Sequence, residues 1–98
     1  MTIEKFRDGD KMTIALEGKL DTTTAPELEA EWMDVRESVS ELVIDLEKLE
    51  YMSSAGLRAM LVMQKYMMQK GGMKVVHVNE IIMEIFEITG FTTILDIE

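Results

Sequence analysis

Apolar and polar residues alternate in TIEKF (2–6) and in MTIALEG (12–18), the two-residue period of a strand with one buried face. Between them RDGDK carries Asp8-Gly9, a strong turn signal. The chain is therefore predicted to open with a β-hairpin on which Met12, Ile14 and Leu16 face opposite to Thr13, Ala15 and Glu17. GKLDTTT (18–24) breaks the alternation. Thr24 followed by Glu27 fits a capping box, and Pro26 is tolerated in a first helical turn because its missing N–H would have had no partner there. Leu28, Trp32, Val35 and Val39 then recur at helical spacing. They predict a first helix with those residues inward, Trp32 in the core, and Glu27, Glu31, Asp34 and Glu37 wet.

ELVIDL (41–46) is a brief, nearly continuous apolar run, as expected of a central strand covered on both faces. From Leu57, the residues Met60, Leu61, Gln64, Met67 and Met68 follow helical spacing until Gly71-Gly72 stops a second helix. MKVVHV (73–78) reads as the next strand. NEIIMEIFEITG (79–90) reads as a third helix with Asn79 as its cap and Gly90 as its stop, and TTILDI (92–97) as a last strand. After the hairpin the order α, β, α, β, α, β makes this an α/β chain with a largely parallel sheet and helices packed against it. No repeat, low-complexity tract or linker interrupts residues 1–98, so we expect one domain.

Composition narrows the function. Ten basic residues against nineteen acidic ones give a formal charge of -9, which repels nucleic-acid phosphates and anionic membranes and leaves either a solvated surface or steering toward a basic partner. No stretch reaches the roughly 20 apolar residues that span a bilayer, and MTIEKFRDGDK lacks the layout of an export signal, so the cytoplasm is the expected location. Without cysteine there is no disulfide and no thiolate chemistry. Ten methionines read as adaptable core filling or as a Met-rich partner groove.

The chemically suggestive stretch is EYMSSAGLRAML (50–61), where two hydroxyls and a glycine stand between strand-like and helix-like patterns. A hydrolase elbow needs Gly-x-Ser-x-Gly, but Met52 occupies the first glycine position relative to Ser54, and His77, the sole histidine, falls in a predicted strand. Self-contained serine catalysis lacks its turn and its base, so the chain is not expected to be an enzyme. Gly56 alone is too few glycines for a phosphate cradle, and His77 has no clustered companions, so neither a cofactor nor a metal is expected. Asp21, Asp45 and Ser53 could approach one another, a weak cation signal. Two readings of Ser53 and Ser54 stay open: a plain helix cap, or a hydroxyl displayed at a helix start whose free N–H groups and dipole tolerate a phosphate.

The same residues carry a resemblance. EGKLDTTTAPELE (17–29) resembles the G-x-L-D-x-x-T-A-x-x-L approach to the first helix of STAS domains. LVIDLEKLEYMSSAGLRAML (42–61) is similar to their central strand, loop and serine-bearing helix start, the most specific of the blocks, and GGMKVVHVNEIIMEIFEITGF (71–91) to their later strand and helix. The match runs nearly end to end and looks like the small anti-sigma-factor antagonists of bacteria. That resemblance implies a four- or five-stranded mixed, mostly parallel sheet with an N-terminal hairpin and three or more helices, mostly on one face. It also implies partner switching: the unmodified form binds an anti-sigma factor that is a serine kinase with a histidine-kinase-like ATP fold, phosphorylation ends binding, and a metal-dependent serine phosphatase restores it. ATP and magnesium belong to the kinase, and the domain itself is expected to act as a monomer without cofactor.

Matching Gly56-Leu57 to the family's Ser-x-Gly-Leu puts the implied phosphoacceptor at Ser54, with Asp21, Thr22, Ser53, Ser54, Ala55, Gly56, Leu57 and Arg58 forming the implied partner surface. Many antagonists have aspartate immediately before the serine, where this chain has Ser53, which leaves Ser53 as an alternative acceptor. The other reading is a STAS interaction module of a different system, such as a signalling hub, a lipid-transport accessory or a small-ligand receptor, in which the serine only caps its helix.

Overall fold

The computed structural model describes all 98 residues. Strand β1 (Thr2–Asp8) turns at Gly9-Asp10 into β2 (Lys11–Leu20), with Asp8 opposite Lys11. Helix α1 (Ala25–Val35), β3 (Glu41–Met52), α2 (Ser54–Met67), β4 (Met73–Val76) and α3 (Glu80–Thr89) follow, then a 3-10 turn (Phe91–Thr93) and the short β5 (Asp96–Ile97). The sheet order is β1-β2-β3-β4-β5; β1 and β2 are antiparallel and all later pairs parallel. No helix is long and apolar enough to cross a membrane.

Because each parallel strand lies next to its predecessor, every crossover steps the same way, and crossovers of one hand put their helices on one face of the sheet. Burial follows this arrangement. Met12, Ile14 and Leu16 of β2 and Leu42, Ile44 and Leu46 of β3 are buried, while Thr13, Ala15, Val43 and Asp45 between them are only half-buried. The expected strand covered on both faces is thus covered on one; its apolar run arises because Val43 is shielded by neighbouring strands without a helix above it. Trp32 lies in the core, its ring edge-on to Tyr66 at 5.3 Å, with the Arg36 guanidinium 5.0 Å from the Tyr66 ring.

Several element ends differ from expectation, each for a local reason. β3 runs on past Leu46 to Met52, and two irregularities in its pairing with β2 let two residues oppose one, which scrambles the alternation that would have revealed it. α1 stops at Val35, so Val39 is buried from a connecting turn instead of a helix; the Ser38 hydroxyl donates to the Val35 carbonyl at 3.0 Å and competes for it. In α2, Leu61 is half-buried and Met68, at the C-cap, is exposed. β4 ends at Val76 because His77 adopts φ 55, so the histidine lies outside the strand and exposed, with Nδ1 3.1 Å from Asp45 Oδ2. Gly90, at φ 80, ends α3 in the left-handed conformation that only glycine adopts freely. The 3-10 turn then takes Thr92 and Thr93 of TTILDI, Ile94 and Leu95 lie in a further turn, and β5 keeps two residues.

Candidate functional site

The parallel register places Leu20 beside Met52, so the chain leaves β2 and β3 at the same end of the sheet. Asp21-Thr22 continues from one strand and Ser53-Ser54 from the other. The Ser53 amide donates to the Leu20 carbonyl at 2.9 Å, which stitches the two exits together. Gly56 seats the first turn of α2 against this junction: a Cβ there would lie 2.8 Å from both Leu20 Cγ and Met52 Cγ, so only glycine permits the approach.

Thr24 does not cap α1 through its hydroxyl, contrary to the capping-box expectation. Its Oγ1 instead donates to the Lys19 carbonyl at 2.7 Å and accepts from the Asp21 amide at 2.8 Å. Asp21 Oδ1 accepts from the Thr23 amide (3.0 Å), the Thr23 hydroxyl (2.8 Å) and the Thr24 amide (3.1 Å), all ahead of Ala25, so it ties the turn before α1 and caps no amide of the helix itself. Donation from the Thr23 hydroxyl, then from the Thr23 amide, holds the Asp21 carboxyl below its ordinary range. The DTTT run is therefore a folded turn that fixes a negative charge beside the second exit.

At the start of α2 the Leu57 amide is the first to bond back, to the Ser53 carbonyl at 2.9 Å, so the amides of Ser54, Ala55 and Gly56 precede the helical ladder. Ser53 has the extended N-cap backbone, φ -89 and ψ 179, yet its hydroxyl makes no cap bond; Oγ is enclosed by protein and has no partner. Ser54, the first helical residue, is exposed, as are Thr22 and Arg58, and Arg58 lies one turn along the helix on the same side. Asp21 and Ala55 are half-buried, whereas Gly56 and Leu57 point into the core. The eight residues singled out from sequence are thus brought together, with Thr22, Ser54 and Arg58 outward and Gly56 and Leu57 supporting from beneath.

Sequence reasoning missed Tyr51, exposed at the end of β3 and paired with Lys19. A large aromatic two positions before the serine pair was the available signal. It also linked Asp45 to this region incorrectly: Asp45 pairs with Ala15 in mid-sheet, roughly 20 Å along the strand from Met52, and bonds to His77 instead. No three His, Cys, Asp or Glu side chains approach closely enough to hold a metal ion. The arrangement offers an accessible hydroxyl on a positively polarised helix end, at the same end of the sheet as the Asp21 carboxylate.

The model of the STAS domain matches residues 2–98, and the chain belongs to the STAS domain family. BtrV of Bordetella bronchiseptica, provisionally named an anti-sigma factor antagonist, is 36% identical over 100 residues that cover 99% of this chain and 84% of that protein. The anti-sigma-B factor antagonist of Listeria monocytogenes is 33% identical over 97 residues, covering 96% and 84% of the two. Among solved structures, the crystal structure of an anti-sigma factor antagonist from Mycobacterium paratuberculosis superposes with a TM-score of 0.88 at 25% identity, over 98% of this chain and 83% of that one. Within this group the protein is a regulator and not an enzyme.

Proposed function

We propose that residues 1–98 act as one STAS domain that antagonises an anti-sigma factor by partner switching, with Ser54 as its switch. Unmodified, the surface formed by Asp21, Thr22, Ser54 and Arg58 docks on an anti-sigma factor that is also a serine kinase with a histidine-kinase-like ATP fold, and the sigma factor is released. That kinase transfers the γ-phosphoryl group of ATP to Ser54 Oγ, with loss of the hydroxyl proton and release of ADP. A metal-dependent serine phosphatase reverses the change. On this reading the protein works in the cytoplasm as a monomer, and the nucleotide and magnesium are the kinase's.

The observation that carries this reading is the contrast between the two serines: Ser54 is open to a partner at the head of α2, whereas the Ser53 oxygen is enclosed. Phosphorylation adds about -1.5 to -2 charge and a hydrated group to an interface on a chain already at -9. Shifting a mixture from 1:99 to 99:1 takes about 5.5 kcal/mol of differential affinity, a size that charge repulsion and the cost of desolvating the phosphate can approach without refolding. The free amides of the first turn accommodate the phosphate on the domain's own side.

With its cognate kinase and ATP, the protein is expected to gain one phosphate and Ser54→Ala none, read by intact-mass spectrometry. Ser54→Glu is expected to weaken capture of the anti-sigma factor by about two orders of magnitude. Modification that survives in Ser54→Ala and maps to Ser53, or undiminished binding by phosphorylated protein, would overturn the assignment.

A further inference from the structure

At the opposite end of the sheet, where β2, β3, β4 and β5 begin, lies a cavity of about 170 Å³. Its wall is formed by Lys11, Glu41, Lys74 and Asp96 from the strand starts, by the Gly71-Gly72 connection, and by Gln64 of α2. Gln64 is the one polar side chain in the buried core, 9% exposed, and its Oε1 has no hydrogen-bond partner. An unpaired buried amide oxygen is costly and calls for a partner. The terminal torsion of glutamine is broad, so a small rotation lets the amide meet a group presented from the cavity.

The charges around the cavity are of both signs and only partly satisfied. Lys74 pairs with Glu98 at 3.0 Å and also feels the charges of Asp96, its cross-strand neighbour, and of Glu41, but Lys11, Glu41 and Asp96 take part in no close ion pair of their own. A simple anion would meet Glu41 and Asp96, and a simple cation would meet Lys11 and Lys74. A molecule bearing both an ammonium and a carboxylate satisfies each sign. The space agrees: one water needs roughly 10–15 Å³ of it, and sites for drug-sized ligands have about 300–1,000 Å³, so the occupant is larger than a water and smaller than a nucleotide.

We propose that this cavity is a binding site for a small zwitterion of amino-acid size, its ammonium held by Glu41 and Asp96, its carboxylate by Lys11, with the Gln64 amide closing the hydrogen bonding from the core side. The site is remote from Ser54 and does not depend on the switch described above. It gives a regulator of this kind an input for a metabolite as well as for a kinase.

The test titrates isotope-labelled protein with glycine, L-alanine, L-lysine and L-glutamate separately, alongside acetate and methylammonium as single-charge halves, and follows the NMR signals. At least one amino acid is expected to shift the Gln64 side-chain amide and the backbone amides of Gly71, Gly72 and Lys74, leaving Ser54 unmoved, and to bind about tenfold or more tightly than either half. Gln64→Leu and, separately, Lys11→Gln are expected to lose about tenfold in affinity. Lys11 is exposed, so its variant keeps the test readable should Gln64→Leu disturb packing. No binding by any of the amino acids, binding matched by acetate or methylammonium, shifts centred elsewhere, or affinity unchanged in Lys11→Gln would each overturn the proposal.

Discussion

Helices α2 and α3 start alike and are finished differently. Each follows a parallel strand, and each N-cap is extended, φ -89 and ψ 179 at Ser53 against φ -79 and ψ 172 at Asn79. At α3 the cap is complete: Asn79 Oδ1 accepts from the Ile82 amide at 3.0 Å, Nδ2 donates to the Leu49 carbonyl at 2.7 Å, and Glu80 adds a negative charge to the first turn. At α2 the cap hydroxyl bonds nothing and the first turn holds no acid. The chain has thus used up the polarity of one helix end and left that of the other free. The open end is held by packing in place of a cap, through the Gly56 approach and the bond from Ser53 to Leu20. Such an end can take up negative charge without first giving up a bond of its own.

If packing holds the start of α2, adding one methyl group there does the most damage. Gly56→Ala gains helix propensity worth about 1 kcal/mol, yet its Cβ collides with Leu20 and Met52, and overpacking of this kind costs about 1–3 kcal/mol. A net loss of stability in urea denaturation is expected, together with weakened binding of the anti-sigma factor because Ser54 is displaced. A variant at least as stable as the parent would show that the first turn is not seated as tightly as the geometry requires.

The caps themselves give a smaller and more pointed contrast. Asn79→Ala removes two good hydrogen bonds and leaves the Leu49 carbonyl without that donor, so it is expected to cost about 1–2 kcal/mol. Ser53→Ala removes a hydroxyl that pairs with nothing and is expected to stay within about 0.5 kcal/mol of the parent. Equal losses in the two variants would mean that the Ser53 hydroxyl does cap its helix, and the difference between the two helix ends would vanish.

Local signals were legible in the sequence and collective ones were not. The hairpin, the order of helices and strands, the Asn79 cap and the Gly90 stop all follow from periods and cap chemistry confined to a few residues. The length of β3 was hidden because its bulges depend on pairing with β2, and the one-sided sheet because it depends on the direction of successive crossovers. Ser38 ends α1 early through a serine bond to its own backbone, and His77 bends the chain where its β-rich neighbours promise a strand. At the site, the motif marks Ser54 but treats its neighbours as equals. Only the structure separates Thr22 and Arg58, which face outward, from Gly56 and Leu57, which carry the turn from below. Thr24 and Glu27 spelled a capping box, yet the helix has no side-chain cap, and Asp21, three residues earlier, folds the polar run ahead of it instead.

The approach to α1 is a third case: the helix has no side-chain cap, and the turn before it is tied by a carboxylate that titrates. The Thr23 hydroxyl and the Thr23 and Thr24 amides hold the folded Asp21 carboxyl below its ordinary value of 3.8, so at low pH the unfolded chain binds this proton more readily than the folded one. The carboxylate's contribution is therefore present in full above the ordinary value and is lost as pH falls through the lowered one. Asp21→Asn keeps an accepting oxygen and removes the charge. Its deficit in urea midpoint against the parent is expected to be constant from neutrality down to mildly acidic pH and then to shrink. The change is small, because a partly solvated charge is screened. A deficit that stays the same through the acid range would mean that the hydrogen bonds alone hold the turn before α1, and that the Asp21 charge contributes nothing to it.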